Sequence, residues 1–305
     1  MTAILVRRVL EMLVALLVMS LIVFSLSRAL GDPVALMLGD FATEEDRAAV
    51  RRDLGLDQPF ATQYLAFVGN ALKGDLGRSV SGDRQPVIDI IRSRFPASLQ
   101  LAGVALLLSL AVGIPLGVAA AVRKGTWVDT GARIFALLGQ SVPVFWIGIV
   151  LITVFSVRLR WLPTSGYGGP EHFVLPAATM ALFTVAAVTR LTRVGMIDAL
   201  DSDYVRLARM KGLPEVKVVW KHALANSLLP VVTYLGAFFA TMITGAVVVE
   251  TIFGWPGIGR LAYEAILERD YPLMQAVVLV MTALFMSLNL LADLLHVVID
   301  PRLRR

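Results

Sequence analysis

Two apolar runs of membrane length bracket one polar insert, and that arrangement constrains the chain more than any other feature. Phe173 to Thr189 and Ala223 to Val249 contain no charged residue, whereas Asp201 to Asn226 is strongly polar and basic. Spanning a bilayer takes about 20 predominantly apolar residues in a helix. Six segments meet that length, near 9–28, 97–122, 133–157, 173–193, 227–250 and 272–298. The expectation is an all-α integral membrane protein with six transmembrane helices.

Composition fits this setting. The chain is 57% hydrophobic and 17% charged, against about 25% charged in soluble domains. The net charge of +5 comes from basic residues at the ends of apolar runs, so it points to membrane lipid and not to nucleic acid. The first segment is too long, and lacks the small-residue cleavage site, for a removed signal peptide, so it reads as a retained helix.

Basic residues also orient the helices. Arg7, Arg8, Arg123, Lys124, Arg133, seven residues from Arg190 to Lys221, and Arg302, Arg304 and Arg305 share one side. Only Arg158, Arg160, Arg260 and Arg269 lie in the short loops opposite. The excess places both termini and the 201–226 insert in the cytoplasm. By topology the chain divides into 1–29 (N-terminus and first helix), 30–95 (an extracytoplasmic loop subdomain) and 96–305 (a five-helix core with a cytoplasmic loop at 196–226). Within 30–95, Thr43-Glu-Glu-Asp46 reads as the capped start of a helix ending at Gly55, and Tyr64 to Leu72 as a second helix.

The 201–226 insert reads as two short, basic, partly apolar helices around a break at Lys211-Gly212-Leu213-Pro214. Gly suits the end of one helix and Pro the first turn of the next. Such helices suit a membrane face or a groove on a partner. Pro115, Pro143 and Pro230 fall inside apolar runs, where kinks are expected. Gly113 and Gly117 give a GxxxG spacing that lets helices approach closely.

Much chemistry is excluded. There is no cysteine, the three histidines are not paired at helical spacing, and the dipeptide Gly-Lys of a phosphate loop never occurs. No catalytic group, bound cofactor or metal site is expected of this chain. Glu11, Asp293 and His296 lie near the cytoplasmic ends of spans, where snorkelling or helix pairing accounts for them. Glu250 ends the fifth span, where it lines an outer gate or caps the following loop. Polar and small residues suited to a passage are Gln140 and Ser141 in the third span, and Thr233, Tyr234, Thr241 and Thr244 in the fifth, with Glu250 as a further pathway candidate.

The insert resembles the cytoplasmic coupling loop, the "EAA" loop, of permease subunits in ABC importers. Gly212 takes the position of that pattern's glycine, Ala208 that of its second alanine and Leu224 that of its leucine. Arg206, Leu207, His222 and Ala225 depart from it. Asp203-Tyr-Val-Arg206, Ala208-Arg209, Lys211-Gly-Leu213 and His222-Ala-Leu224 are similar to the variant in the dipeptide, oligopeptide and nickel branch, "B" type. So are Gly31-Asp-Pro33, Gly55 to Pro59, Gly74 to Gly77, Arg94 to Ser98, Trp161 to Gly166, Glu250 to Gly259, Asp270-Tyr-Pro272 and Asp300-Pro-Arg302.

The resemblance implies a type I importer permease fold in the bacterial inner membrane, forming half of a pathway for peptides, or for nickel chelates, glutathione or another small solute. It implies a second, related permease chain in a heterodimer, two ATPase subunits that use ATP and Mg, and an extracytoplasmic binding protein. It assigns ATPase coupling to Tyr204, Arg206, Ala208, Arg209, Lys211, Gly212 and Leu213. Tyr204, Ala208 and Leu213 are expected as the apolar contact, with the cations at its rim. An intramembrane enzyme or a secondary transporter would need carboxylate or nucleophile pairs at membrane depth, and none is visible.

Overall fold

The computed structural model describes residues 2–30, 34, 43–53, 56–81 and 84–299. Gly31-Asp-Pro33, Gly55 and Asp300 to Arg305 therefore lie outside the described residues. Among those described, regular structure is helical, apart from one isolated bridge between Arg78 and Pro86. In order come α1 (Thr2–Leu30), α2 (Glu44–Asp53), α3 (Phe60–Leu72), α4 (Val87–Val122), α5 (Trp127–Ser141) and α6 (Val144–Leu151), which runs on as a π-helical segment, Ile152–Arg158. Then follow α7 (Pro170–Leu200), α8 (Asp203–Met210) and α9 (Glu215–Lys217), which passes through the π-helical Val218–Ala223 into α10 (Leu224–Ser227). The chain closes with α11 (Leu229–Thr244), α12 (Val247–Ile252), α13 (Ile258–Leu267) and α14 (Tyr271–Ile299).

Four of the six expected spans are single helices, within α1, α4, α7 and α14. The other two are bent pairs, and counting each pair as one span gives six. The third differs most from a kinked rod. Its two halves, Trp127–Ser141 and Val144–Arg158, meet at 106°. Pro143 has ψ 136° and stands ahead of α6 as its cap, so it separates two helices instead of bending one. Pro230 likewise lies in the first turn of α11, after a 50° change of direction. Pro115 stays within α4, whose 36 residues extend about 54 Å, well beyond a hydrocarbon layer of about 30 Å.

The chain forms two compact units, Met1–Ala97 with Pro256–Ser287, and Ser98–Trp255 with Leu288–Arg305. In the first, Phe24 of α1 makes ring contacts with Phe60, Tyr64 and Phe67 of α3 at 5.3, 5.6 and 5.3 Å. Tyr64 and Ser20 share a hydrogen bond of 2.8 Å between hydroxyls. Val87 and Ile91 pack with Ile258, Leu261 and Ala265 of α13 and with Leu273 and Met274 of α14. Asp270 is fully buried. Its Oδ1 accepts from the Leu273 N–H at 3.1 Å, capping α14, while its Oδ2 accepts from the Ser79 hydroxyl and from the N–H groups of Val80 and Ser81 at 3.1 and 3.3 Å.

The second unit is built on α7, which buries a run from Leu175 to Val188 almost without interruption. Small residues let its neighbours approach. A Cβ added at Gly113 would lie 2.8 Å from the Val188 Cβ, and one at Gly117 would lie 2.7 Å from the Thr189 carbonyl oxygen. The GxxxG spacing is thus the contact line between α4 and α7.

Candidate functional site

The insert is held rigidly from within. α8 ends at Met210, and Gly212 follows with φ +73°, the left-handed region that Gly enters without strain. The Gly212 N–H donates to the Arg209 carbonyl at 2.9 Å and the Leu213 N–H to the Ala208 carbonyl at 3.4 Å. These two bonds, with Leu213 packed against the cluster that contains Ala208, form a Schellman cap. Pro214 then caps the start of α9. Across the turn, Arg209 grips Glu215 through two hydrogen bonds of 3.2 and 2.7 Å. That guanidinium holds the Glu215 carboxyl below the usual carboxylate range.

The inner side of the insert is packed. Val205, Ala208, Val218, Val219, Ala223 and Leu224 are buried in one cluster with Val118 and Ala121 of α4 and Met196 and Ala199 of α7. A Cβ at Gly195 would lie 2.8 Å from the Ser227 carbonyl oxygen, so α10 also runs close against α7. The outer side is open. Tyr204, Leu207, Met210, Val216 and Trp220 are 42, 49, 76, 73 and 49% exposed. Around them stand the exposed Arg206, paired loosely with Asp203 at 3.5 Å, and the exposed Lys211.

The sequence expectation differs here in one respect. Ala208 is 7% exposed and faces the chain's own core, and Leu213 is half-buried beside it, so neither is a surface anchor. The apolar residues that do face outward include Leu207, Met210, Val216 and Trp220. Tyr204, Leu207 and Met210 recur every third residue and are exposed, whereas Val205 and Ala208, also three apart, are buried; spacing separates the two sets without saying which of them faces the core.

The pathway candidates are scattered in kind. Along α11 and at the Gly245 that caps its end, Thr233, Ala237, Thr241 and Gly245 make an exposed small-residue stripe at four-residue spacing. Tyr234 is half-buried and stacks on Phe238 at 5.2 Å. Thr244 returns its hydroxyl to the Ala240 carbonyl at 3.0 Å, and Ser141 its own to the Leu137 carbonyl at 2.8 Å. Gln140 lines a cavity between α5 and α7. Glu250 is fully buried, and the Ser98 hydroxyl donates to it at 2.6 Å, tying α12 to α4. Trp255 nearby is enclosed by Tyr167 and Phe173. Glu11 pairs with Arg7 and Arg8 on the exposed side of α1, and the His296 side chain lies outside the described residues. Among the described residues, no cluster of His, Asp or Glu suits a metal ion.

Membrane-length helices, joined by an insert that is packed on one side and apolar and exposed on the other, define a multi-pass membrane protein. Residues 113–305 match the family described as binding-protein-dependent transport system inner membrane component, and residues 1–102 match its N-terminal counterpart. A putative peptide transport system permease protein of Brucella abortus is 41% identical over 100% of this chain and 99% of its own. The glutathione transport system permease protein GsiC of Escherichia coli K12 is 40% identical over 98% of both. Among solved structures, a chain of the MetNI methionine ABC transporter in inward-facing conformations aligns with TM-score 0.57 and 14% identity, covering 69% of this chain and 96% of that one. An amino acid ABC transporter crystallised with histidines aligns with TM-score 0.51. The chain belongs to the family of binding-protein-dependent transport system inner membrane components. It is an inner-membrane permease subunit of an ABC importer, not an enzyme, and its family works with ATPase and binding-protein partners.

Proposed function

We propose that this permease carries peptides, or a related small solute such as glutathione, and that the outer side of its 201–226 insert is where an ATPase subunit docks. The cargo reading rests on relatives of 40–41% identity named for peptide and glutathione transport. One observation carries the docking reading: five large apolar side chains face out from a segment whose other side is locked into the core. An interface centred on apolar and aromatic anchors with a cationic rim is the pattern that supplies binding energy. ATP and Mg are held by the separate ATPase subunits. As these close, a rigid insert transmits their movement to α7 and α4 and so switches the pathway between its inward- and outward-facing states. A second, related permease chain supplies the other half of the pathway, and the small-residue stripe on α11 is this chain's contribution to it. Nickel chelates are the alternative cargo.

The test is co-purification of the ATPases with the permease, together with uptake of labelled dipeptide. Met210→Asp replaces an anchor, for which about 2 kcal/mol of association is expected to be lost. Uptake falls with it while membrane insertion is retained, and Lys217→Ala changes neither. Normal assembly and uptake by Met210→Asp would place the docking surface elsewhere. Purification from the native operon is expected to yield two different permease chains in equal amounts.

A further inference from the structure

The cavity between α5 and α7 is lined by Arg133, Arg190 and Arg193 together with Gln140 and Thr189, and has a volume of about 300 Å³. Among the described residues, no carboxylate lines it. The nearest is Asp129, which is 2% exposed and engaged by Arg193 through bonds of 2.5 and 2.9 Å, with Arg133 at 3.6 Å. One negative charge thus stands against three guanidinium groups, and two positive charges are left over. Arg190 has no hydrogen-bond or ion-pair partner among the described residues. Beside it on α7, Thr189 is 1% exposed, and its enclosed hydroxyl has no hydrogen-bond partner. A helical threonine ordinarily returns its hydroxyl to the carbonyl four residues back, as Thr179 does to Leu175 at 2.8 Å. Thr189 does not, which leaves a buried polar group without compensation.

We propose that this cavity is an oxyanion site, taking one carboxylate or phosphate group near the cytoplasmic end of α7. Arg190 supplies the charge, Thr189 a buried hydroxyl donor and Gln140 an amide donor. Arg193 and Arg133 hold the field positive while Asp129 fixes Arg193 in place. The volume is at the small end of ligand sites, so it accepts a headgroup-sized or single-acid fragment and not an extended chain. Basic pockets between membrane helices on the cytoplasmic side hold anionic lipid headgroups, and a soluble acid presents the same chemistry. The inference is independent of which solute the transporter carries.

The experiment uses the assembled transporter in phosphatidylcholine discs and follows its thermal unfolding. Sodium phosphate or sodium acetate is titrated at constant ionic strength against chloride, and a parallel set of discs contains phosphatidylglycerol. At least one oxyanion is expected to raise the Tm of the wild type beyond the chloride control. A response only to phosphatidylglycerol assigns the site to a lipid headgroup, and a response to phosphate or acetate assigns it to a soluble acid. Arg190→Gln is expected to weaken the response about tenfold or more, as for loss of a charge-assisted hydrogen bond, and Arg190→Lys to retain part of it. Thr189→Val keeps the shape and removes the donor, so it weakens the response should Arg190→Gln fail to assemble. A wild type indifferent to every oxyanion, or an Arg190→Gln that responds as the wild type does, would mean a cavity filled by water alone and would overturn the proposal.

Discussion

Gly212 offers the sharpest test of how the insert is built. Its φ of +73° is one that an L-residue adopts only at a cost, and a Cβ placed there meets none of the described residues beyond its own chain neighbours within 4 Å. Gly212→Ala therefore introduces no clash, and its whole intramolecular effect is backbone strain. The left-handed region costs Ala about 1–2 kcal/mol, partly offset by the smaller freedom of its unfolded chain. A net cost of about 1 kcal/mol is roughly a fivefold increase in the opening of the cap. The Gly212 and Leu213 amides donate the two cap bonds, so their hydrogen exchange is expected to speed up by about that factor while the α7 amides do not change. Gly212→Asn enters the left-handed region more readily, so its exchange should lie closer to the wild type. Association with the ATPases separates the second effect. If a partner packs into the open space at Gly212, Asn loses more affinity than Ala although it strains the backbone less. Wild-type exchange at Leu213 in Gly212→Ala would refute the cap reasoning.

Three further outcomes follow from the packing. Gly117→Leu drives a side chain into the Thr189 carbonyl and the Thr192 Cβ, at 2.7 and 2.6 Å from its own Cβ, and is expected to cost at least about 1–3 kcal/mol. A Cβ added at Gly103 on the same helix meets nothing within 4 Å, so Gly103→Ala should not lower the melting temperature in detergent. Asp129→Ala strands Arg193, whose side chain is 19% exposed, and is expected to cost about 3 kcal/mol by thermal unfolding, whereas replacing both partners with Leu and Met recovers most of it. Deleting residues 43–54 should abolish uptake without affecting insertion or ATPase association; unchanged uptake would reduce this segment to packing.

The membrane class, the six spans and the position of the insert were legible in the sequence, which also sets the expected orientation. Those properties depend on local quantities: the length of apolar runs, the side on which Arg and Lys collect, and a Gly-Leu-Pro break that only certain backbones satisfy. Gly212 was legible because a left-handed cap leaves its mark on one residue. Tertiary structure alone decided which side of the insert is buried. Tyr204 and Ala208 are one helical turn apart and both apolar, yet α4 and α7 cover one and leave the other open. It also turned the third span through 106° at Pro143, where composition alone predicts a kink and cannot give its size. It paired Glu250 with Ser98, 152 residues away, and gathered Arg133, Arg190 and Arg193 around one cavity. A charge in a sequence shows only that it must be compensated; which partner compensates it is set by how the helices pack, and that depends on contacts far apart in the chain.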